Sequence, residues 1–369
     1  MGIDTHPPTA SRASLTSHAA RRRRRAATAA LVIACTLVFA TAVIAAIVLI
    51  CFKHPRPGIS APPPSSCAGA CALIIEPDDG MAPVATLIRN ATRSIDLTIY
   101  ELNDHAVESA LIAAARRGVA VRVLLSAGYG GAQPASANRT AYAALRAGGV
   151  SVHWSPGYFA LVHQKTLVID GATALIMSFN LAEQYYATGR DFGIVDRDAK
   201  DVAAIETTFT NDWNGNPAPA AAADDLVWSP GARTTLVALI ASAQTSLLVY
   251  NEEMADTGIE SALTSAARRG VRVRILMTAS DEWTGALARL AATGAEVRTY
   301  PATKSSPYIH AKVIVADDAK AFVGSENFSV TSLDDNRELG IIVTNQTIIR
   351  PLVATFENDW NGATKFPPS

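Results

Sequence analysis

Two stretches of this 369-residue chain carry the same five polar residue types in the same order, 147 residues apart. The first, Leu161 to Leu181, holds His163, Lys165, Asp170, Ser178 and Asn180; the second, Tyr308 to Phe328, holds His310, Lys312, Asp317, Ser325 and Asn327. In the second stretch these residues bracket two apolar runs, Val313–Val315 and Ala321–Val323, which predicts two β-strands joined by a tight Asp317-Asp318-Ala319-Lys320 turn. Residues two apart on a strand share a face, so His310 and Lys312 are expected to point the same way, and Ser325 and Asn327 repeat that spacing. A lone histidine near a strand is more often structural than catalytic. Burying a lysine and a histidine twice is costly unless something pairs with them, so the repetition points to shared chemistry. A histidine, an ammonium, a hydroxyl and an amide converging on one spot form a site for a tetrahedral, negatively charged group.

The repeat extends well beyond these stretches. Val107-Glu-Ser-Ala-Leu111 returns as Ile259-Glu-Ser-Ala-Leu263, and Ala115-Arg-Arg-Gly-Val119 as Ala267-Arg-Arg-Gly-Val271, both offset by 152 residues. Phe209-Thr-Asn-Asp-Trp-Asn-Gly215 returns as Phe356-Glu-Asn-Asp-Trp-Asn-Gly362 at the offset of 147, and Trp213 and Trp360 read as packing residues. Units of this size are too long for a solenoid and fit a duplicated domain. Within the first, Ser94–Tyr100 predicts a strand, His105–Arg117 a helix ended by Gly118, and Val119–Leu125 a strand. Asn138–Ala147 predicts a second helix and Val150–Trp154 a further strand, so the class is α/β, a sheet with helices on its faces.

The N-terminus is a different kind of sequence. Arg21–Arg25 are five consecutive arginines, and Ala26–Phe52 is 27 residues without a charge. About 20 apolar residues span a bilayer, and a cleaved signal peptide usually has an apolar region of about 7–15, so a single transmembrane signal anchor is expected. The arginines place its N-terminus in the cytoplasm and the remainder of the chain outside. The expected organisation is a basic tail (1–25), an anchor (26–52), a Pro/Ser-rich linker (53–72), a first half (73–215), a connector (216–225) and a second half (226–366). Cys67 and Cys71 would lie outside, where a small disulfide loop can persist. Beyond residue 56 the chain has 24 basic and 32 acidic residues, a formal charge of −8, which weighs against extended nucleic-acid binding.

His-x-Lys, four residues, Asp, six residues, Gly-Ser-x-Asn resembles the signature of the phospholipase D superfamily. The second copy matches throughout, from His310-Ala-Lys312 through Asp317 to Gly324-Ser-Glu-Asn327. In the first copy Met177 stands where the family prefers glycine, a departure expected to narrow the pocket or shift the turn before Ser178. The resemblance covers roughly residues 80–366. It implies two duplicated α/β/α sandwich halves, packed pseudo-two-fold around one active site. It also implies a phosphodiesterase in which one histidine attacks phosphorus, forming a phosphohistidine, while the other protonates the departing alcohol and then activates water. Family members resembling this chain commonly use the first-half histidine as nucleophile, which gives that role to His163 and the acid/base role to His310. Lys165 and Lys312 would hold the non-bridging oxygens, with Asn180, Asn327, Ser178 and Ser325 in support, and no metal or other cofactor is called for. Asp191 and its counterpart Glu338 are expected to orient the histidines, the alternative being ion pairs with Arg190 or Arg337. Asp170 and Asp317 belong to the catalytic motif but are expected to tie down the strand turns rather than touch substrate. Tyr158, Phe159, Tyr185, Tyr186 and Tyr308 are candidates for the entrance. The expected substrate is a phospholipid head-group ester at a membrane, hydrolysed or transferred to another alcohol. Anchored nuclease activity and a non-catalytic phosphate- or lipid-binding module are the alternatives.

Overall fold

The computed structural model describes residues 72–131 and 134–367. The expected basic tail, anchor, Cys67–Cys71 pair and nearly all of the linker lie outside the described residues. Among the described residues no helix is long and apolar enough to cross a membrane.

The first half contributes β1 (Ala72–Glu76), β2 (Ser94–Ile99), β3 (Ala120–Leu125), β4 (Ser151–Trp154), β5 (Thr166–Ile169), β6 (Thr173–Met177) and β7 (Gly189–Asp196). They form one sheet in the order β1-β7-β6-β5-β2-β3-β4. The second half contributes β8 (Leu226–Ser229), β9 (Ser246–Tyr250), β10 (Arg272–Thr278), β11 (Glu296–Tyr300), a short β12 (Tyr308–Ile309), β13 (Lys312–Ala316), β14 (Lys320–Gly324), β15 (Glu338–Val343) and β16 (Thr364–Lys365). Its sheet runs β8-β15-β14-β13-β9-β10-β11-β16, the same order once each strand is exchanged for its repeat-mate, with β16 added at the edge. The duplication read from the sequence is therefore a duplication of topology.

Local chemistry fixes the repeated elements. The helices are α1 (Ala82–Asn90), α2 (His105–Arg116), α3 (Ser136–Ala147), α4 (Ala199–Trp213), α5 (Ala232–Ser242), α6 (Thr257–Arg268), α7 (Thr284–Ala292), α8 (Val330–Asp334) and α9 (Gln346–Gly362). Asp104 caps α2 by accepting from the amides of Ala106 and Val107, and Asp256 caps α6 by accepting from that of Ile259. Gly118 and Gly270 end the same helices with φ of 91° and 90°, a left-handed conformation that glycine adopts without steric cost. Asp170 and Gly171 turn β5 into β6 with φ of 56° and 60°, and Asp317 and Asp318 turn β13 into β14 with 54° and 51°. Two successive left-handed residues make the primed hairpin turn, whose twist matches that of the strands.

Strand alternation divides the interior into layers. Along β6, Ala174 and Ile176 face a central core while Leu175 and Met177 face helices α1–α3. The second sheet is covered on its outer face by α5–α7, through Leu236, Leu263 and Leu290. Val168 and Ile194 of the first sheet, Val313 and Val323 of the second, Ile205 of α4 and Phe356 of α9 share the central core. The two similar halves fit the expected duplicated sandwich, and they are fused through this shared core, to which the inner helices α4 and α9 both contribute.

The expected placement of each histidine and lysine on one strand needs correction. β13 begins at Lys312, whereas Tyr308 and Ile309 pair with Gly189 and Arg190 of the other half's β7. Val162 likewise bridges to Arg337, and β5 starts only at Thr166. Each His-x-Lys segment is where the chain leaves one sheet for the other.

Candidate active site

This crossing positions the site. The amides of His163 and Gln164 both donate to the carbonyl of Arg337, each at 3.0 Å, and those of His310 and Ala311 donate to the carbonyl of Arg190 at 3.3 and 2.9 Å. The residue after each arginine is an acid, so each histidine ring comes to rest on a carboxylate from the opposite half. His163 Nδ1 lies 2.7 Å from Glu338 Oε2, and His310 Nδ1 lies 2.9 Å from Asp191 Oδ1. The alternative ion pairs with Arg190 and Arg337 are not formed by these acids. Arg337 Nε donates instead to Asp212 Oδ2 at 2.9 Å and Arg190 Nε to Asp359 Oδ2 at 2.7 Å, again across the halves.

The carboxylates are themselves held. Ser178 Oγ donates to Asp191 Oδ1 at 2.6 Å, whereas Glu338 Oε1 accepts from Ser332 Oγ at 2.6 Å and Asn336 Nδ2 at 2.9 Å. Ser178 Oγ and Ser325 Oγ accept equivalent bonds from the Phe192 and Leu339 amides at 2.9 and 3.2 Å. The two motif serines differ only in that Ser325 donates to the Leu339 carbonyl, at 3.5 Å, rather than to an acid. Burial would push the Glu338 carboxyl up, but the adjoining His163 and Lys165 outweigh it and hold the group ionised. Burial also lowers the His163 imidazole, against the pull of Glu338. A neutral ring donating through Nδ1 to an ionised Glu338 leaves Nε2 with its lone pair.

Both lysines are completely buried. Lys165 Nζ donates to the His163 carbonyl at 2.6 Å and lies 5.2 Å from the centre of the Tyr100 ring. Burial drives Lys165 down to about 7, with Glu338 opposing the shift and Lys312 reinforcing it. Lys312 Nζ donates to the His310 carbonyl and, at 2.9 Å, to Glu252 Oε2. Glu252 also accepts from Tyr308 Oη at 2.6 Å and stands 3.6 Å from His310 Nε2. Burial would raise Glu252, but Lys312 and His310 hold it well below the usual carboxylate range.

His163, His310, Asn180, Asn327, Asp191 and Glu252 all line one cavity of about 800 Å³. Tyr185, Tyr186 and Tyr308 line it as well, together with Tyr100, Tyr129 and Trp283. Tyr158 and Phe159 do not. Tyr158 Oη donates to the Asn216 carbonyl at 2.9 Å, and the Arg337 guanidinium lies 4.2 Å from the centre of the Phe159 ring. Asp170 and Asp317 sit at the hairpin turns, where Asp170 accepts from the amides of Thr92, Arg93 and Ser94 and Asp317 from those of Gln244, Thr245 and Ser246. Met177 is fully buried among the first half's helix-facing residues, and the Ser178 amide still donates to the Phe192 carbonyl at 2.9 Å. Met177 therefore neither lines the cavity nor displaces the turn. In the second half the matching space is shared by Gly324 and Glu326, and a Cβ on Gly324 would come within 2.3 Å of the Glu326 carboxylate.

Three groups escaped the sequence reading. Tyr100 and Glu252 occupy matching positions just past the carboxyl ends of β2 and β9, where open sheets with parallel strands present their ligands. Asp212 and Asp359 lie inside the repeated Asn-Asp-Trp, and that repetition was the available signal. Glu76 ends β1 opposite Asp191, and nothing in its local sequence marks it.

Comparison with known proteins agrees with this geometry. The chain is 27% identical over 240 residues to the major cardiolipin synthase ClsA of Bacillus subtilis (strain 168), which covers 55% of this chain and 49% of that one. This chain thus spans about half the length of that relative. It is 26% identical over 316 residues to the minor cardiolipin synthase ClsB of the same organism, covering 74% of this chain and 76% of the relative. A phosphatidylserine synthase of Haemophilus influenzae Rd KW20 shares the fold, with a TM-score of 0.64 at 13% identity over 80% of this chain and 87% of that one. The family profile described as "Cardiolipin synthase, PLD-like domain" matches residues 84–213 and again 236–360, one match in each half. Since the two matches together span most of the chain, it belongs to the cardiolipin synthase, PLD-like domain family.

Proposed function

We propose that this protein is a membrane-anchored phospholipase D-type phosphodiesterase that acts on phospholipid head-group esters through a phosphohistidine, by hydrolysis or by transfer to another alcohol. The observation that carries the reading is the crosswise pairing of each histidine Nδ1 with a carboxylate of the other half, at 2.7 and 2.9 Å, which leaves both Nε2 atoms for one cavity. His163 Nε2 attacks phosphorus and a P–N bond forms. The P–O bond to the head-group alcohol breaks as His310 gives its Nε2 proton to the leaving oxygen. A water or a second alcohol then gives a proton back to His310, its oxygen attacks phosphorus, and the P–N bond breaks. Lys165 and Lys312 offset the charge on the non-bridging oxygens, and their burial makes each charge count for more than it would in water. The uncharged run 26–52 serves as the anchor, which puts the catalytic domain outside the cytoplasmic membrane.

The test uses the full chain in detergent micelles with EDTA present, offered phosphatidylethanolamine, phosphatidylcholine and phosphatidylglycerol beside single-stranded DNA. Release of head-group alcohol and phosphatidic acid, lost in His163→Ala and in His310→Ala, is the expected result. DNA cleavage with untouched lipid would replace this reading by the anchored nuclease. Wild type indistinguishable from both variants on every substrate would favour a binding module. Retention of the chain in membranes washed with alkaline carbonate tests the anchor.

A further inference from the structure

The two-fold repeat of the site is broken electrostatically where Tyr100 is matched by Glu252, and again where Glu76, opposite Asp191, is matched by Ser229, opposite Glu338. Tyr100 in the first half corresponds to Glu252 in the second, at the offset of 152 set by the helix caps Asp104 and Asp256. His163 therefore faces an aromatic ring, 4.7 Å between centres, whereas His310 faces the Glu252 carboxylate at 3.6 Å. Two more acids lie on the His310 side; Glu253 has an acidic repeat-mate, Glu101, which also lines the cavity, whereas Glu76 has none. Glu253 Oε1 accepts from Asn327 Nδ2 at 3.0 Å, and Glu76 pairs in register with Asp191, the acid that holds His310.

The Glu76 side chain is 2% exposed, lines the cavity, and has no partner for either carboxylate oxygen. Asn327 Oδ1, also in the cavity wall and buried, has none either. The nearby guanidinium is committed elsewhere, since Arg190 donates to Asp359, to Asp78 and to the Glu76 backbone carbonyl. Burial, reinforced by Asp191, pushes the Glu76 carboxyl up to about 7, so it sits ready to be held ionised by a cation. Buried acceptors without donors are costly, and a ligand that supplies the donors repairs them.

We propose that the His310 side of the cavity is a subsite for the ammonium of a zwitterionic phosphodiester, with Glu76, Glu252 and Glu253 as its carboxylates. The inference rests on the function proposed above. The phosphate lies on the two lysines, and its arrival on Lys312 frees Glu252 to turn toward the ammonium. The leaving alcohol is then an amino alcohol, protonated on its oxygen by His310 while its cation lies among the acids. Tyr308 and Tyr185 in the same wall offer ring faces to that cation. A glycerol head group brings hydroxyl donors but no charge to balance these acids, and a head group bearing a second phosphate meets repulsion.

The experiment measures kcat/KM of the full-chain protein on phosphatidylethanolamine, phosphatidylcholine and phosphatidylglycerol with identical acyl chains in mixed micelles. The expected result is a preference of at least about tenfold for an ammonium head group over glycerol, equivalent to about 1.4 kcal/mol. In Glu76→Gln and Glu253→Gln that preference falls toward unity through a higher KM for the ammonium lipid. Ethanolamine above choline assigns the subsite to a primary ammonium, and the reverse to a quaternary one. A second measurement needs no variant: ethanolamine or choline inhibits wild-type cleavage of bis(p-nitrophenyl) phosphate, and glycerol at the same concentration does not. Equal or better cleavage of phosphatidylglycerol, or inhibition by glycerol alone, overturns the ammonium subsite and leaves the lipid phosphodiesterase standing. Cleavage of DNA or of the chromogenic diester with no cleavage of any lipid removes the underlying function as well.

Discussion

In the proposed mechanism Lys165 is the group that an arriving anion recharges. Its ammonium is completely buried, and its pKa falls from 10.5 to about 7, chiefly through burial. Between those values the unfolded chain binds more protons than the folded one, so folding stability should rise with pH from about 7 toward 10. Chemical denaturation across that range should show the rise in wild type and a flatter profile in Lys165→Met, which should also lose activity. A bound phosphate analogue should pull the ammonium back to the charged form. Calorimetric titration with tungstate at pH 8, in buffers of different ionisation enthalpy, should therefore show net proton uptake that Lys165→Met abolishes. In the proposed mechanism Glu338 and Asp191 act through the histidines, so Glu338→Gln and Asp191→Asn should lower kcat by about 10²–10⁴ with little change in KM. The residue types at these positions were legible in the sequence because they recur. Glu252 was not, because its repeat-mate is a tyrosine and repetition gave no reason to single it out.

Among the elements, the hairpins β5–β6 and β13–β14 explain why the motif contains an aspartate that never reaches the cavity. Burial pushes Asp170 up, but the amides of Ser94, Arg93 and Thr92 outweigh it and hold the carboxyl at about 2. Asp317 is held at about 2 in the same way by Ser246, Thr245 and Gln244. Each carboxylate thus pins its turn to the start of β2 or β9, the strand that ends just before Tyr100 or Glu252. Asp170→Ala should cost about 1–3 kcal/mol of stability, read from thermal or urea unfolding, while the folded fraction keeps most of its kcat. Because the folded pKa is depressed, the aspartate's contribution is complete above about 4 and lost as pH falls through about 2, so the gap between wild type and variant should close in acid. Strand periodicity and turn residues made these elements readable. The exchange of sheets inside each His-x-Lys was not, since His310 and Lys312 read together as the start of the strand that follows them.

At the scale of the whole molecule, this member of the cardiolipin synthase, PLD-like domain family builds one site from two halves. Arg337 reaches Asp212 and Arg190 reaches Asp359, and all four side chains are buried. Asp212→Ala leaves the Arg337 guanidinium without its partner and should cost about 3–5 kcal/mol, whereas Asp212→Leu combined with Arg337→Met should recover part of that loss in urea unfolding. The sequence by itself determined the duplication, the α/β class, the two histidines and two lysines, and the acids Asp191 and Glu338, because each is carried by residue type and spacing repeated along the chain. It left open which carboxylate serves which histidine, since a repeat is equally compatible with pairing inside a half and pairing across. Only the tertiary structure decided that, by threading Tyr308–Ile309 beside β7 and Val162 beside Arg337 so that each histidine rests on the other half's acid. The same packing gathered Glu76 and Glu252 on the His310 side, an asymmetry that depends on where the ends of two distant strands, β1 and β9, meet.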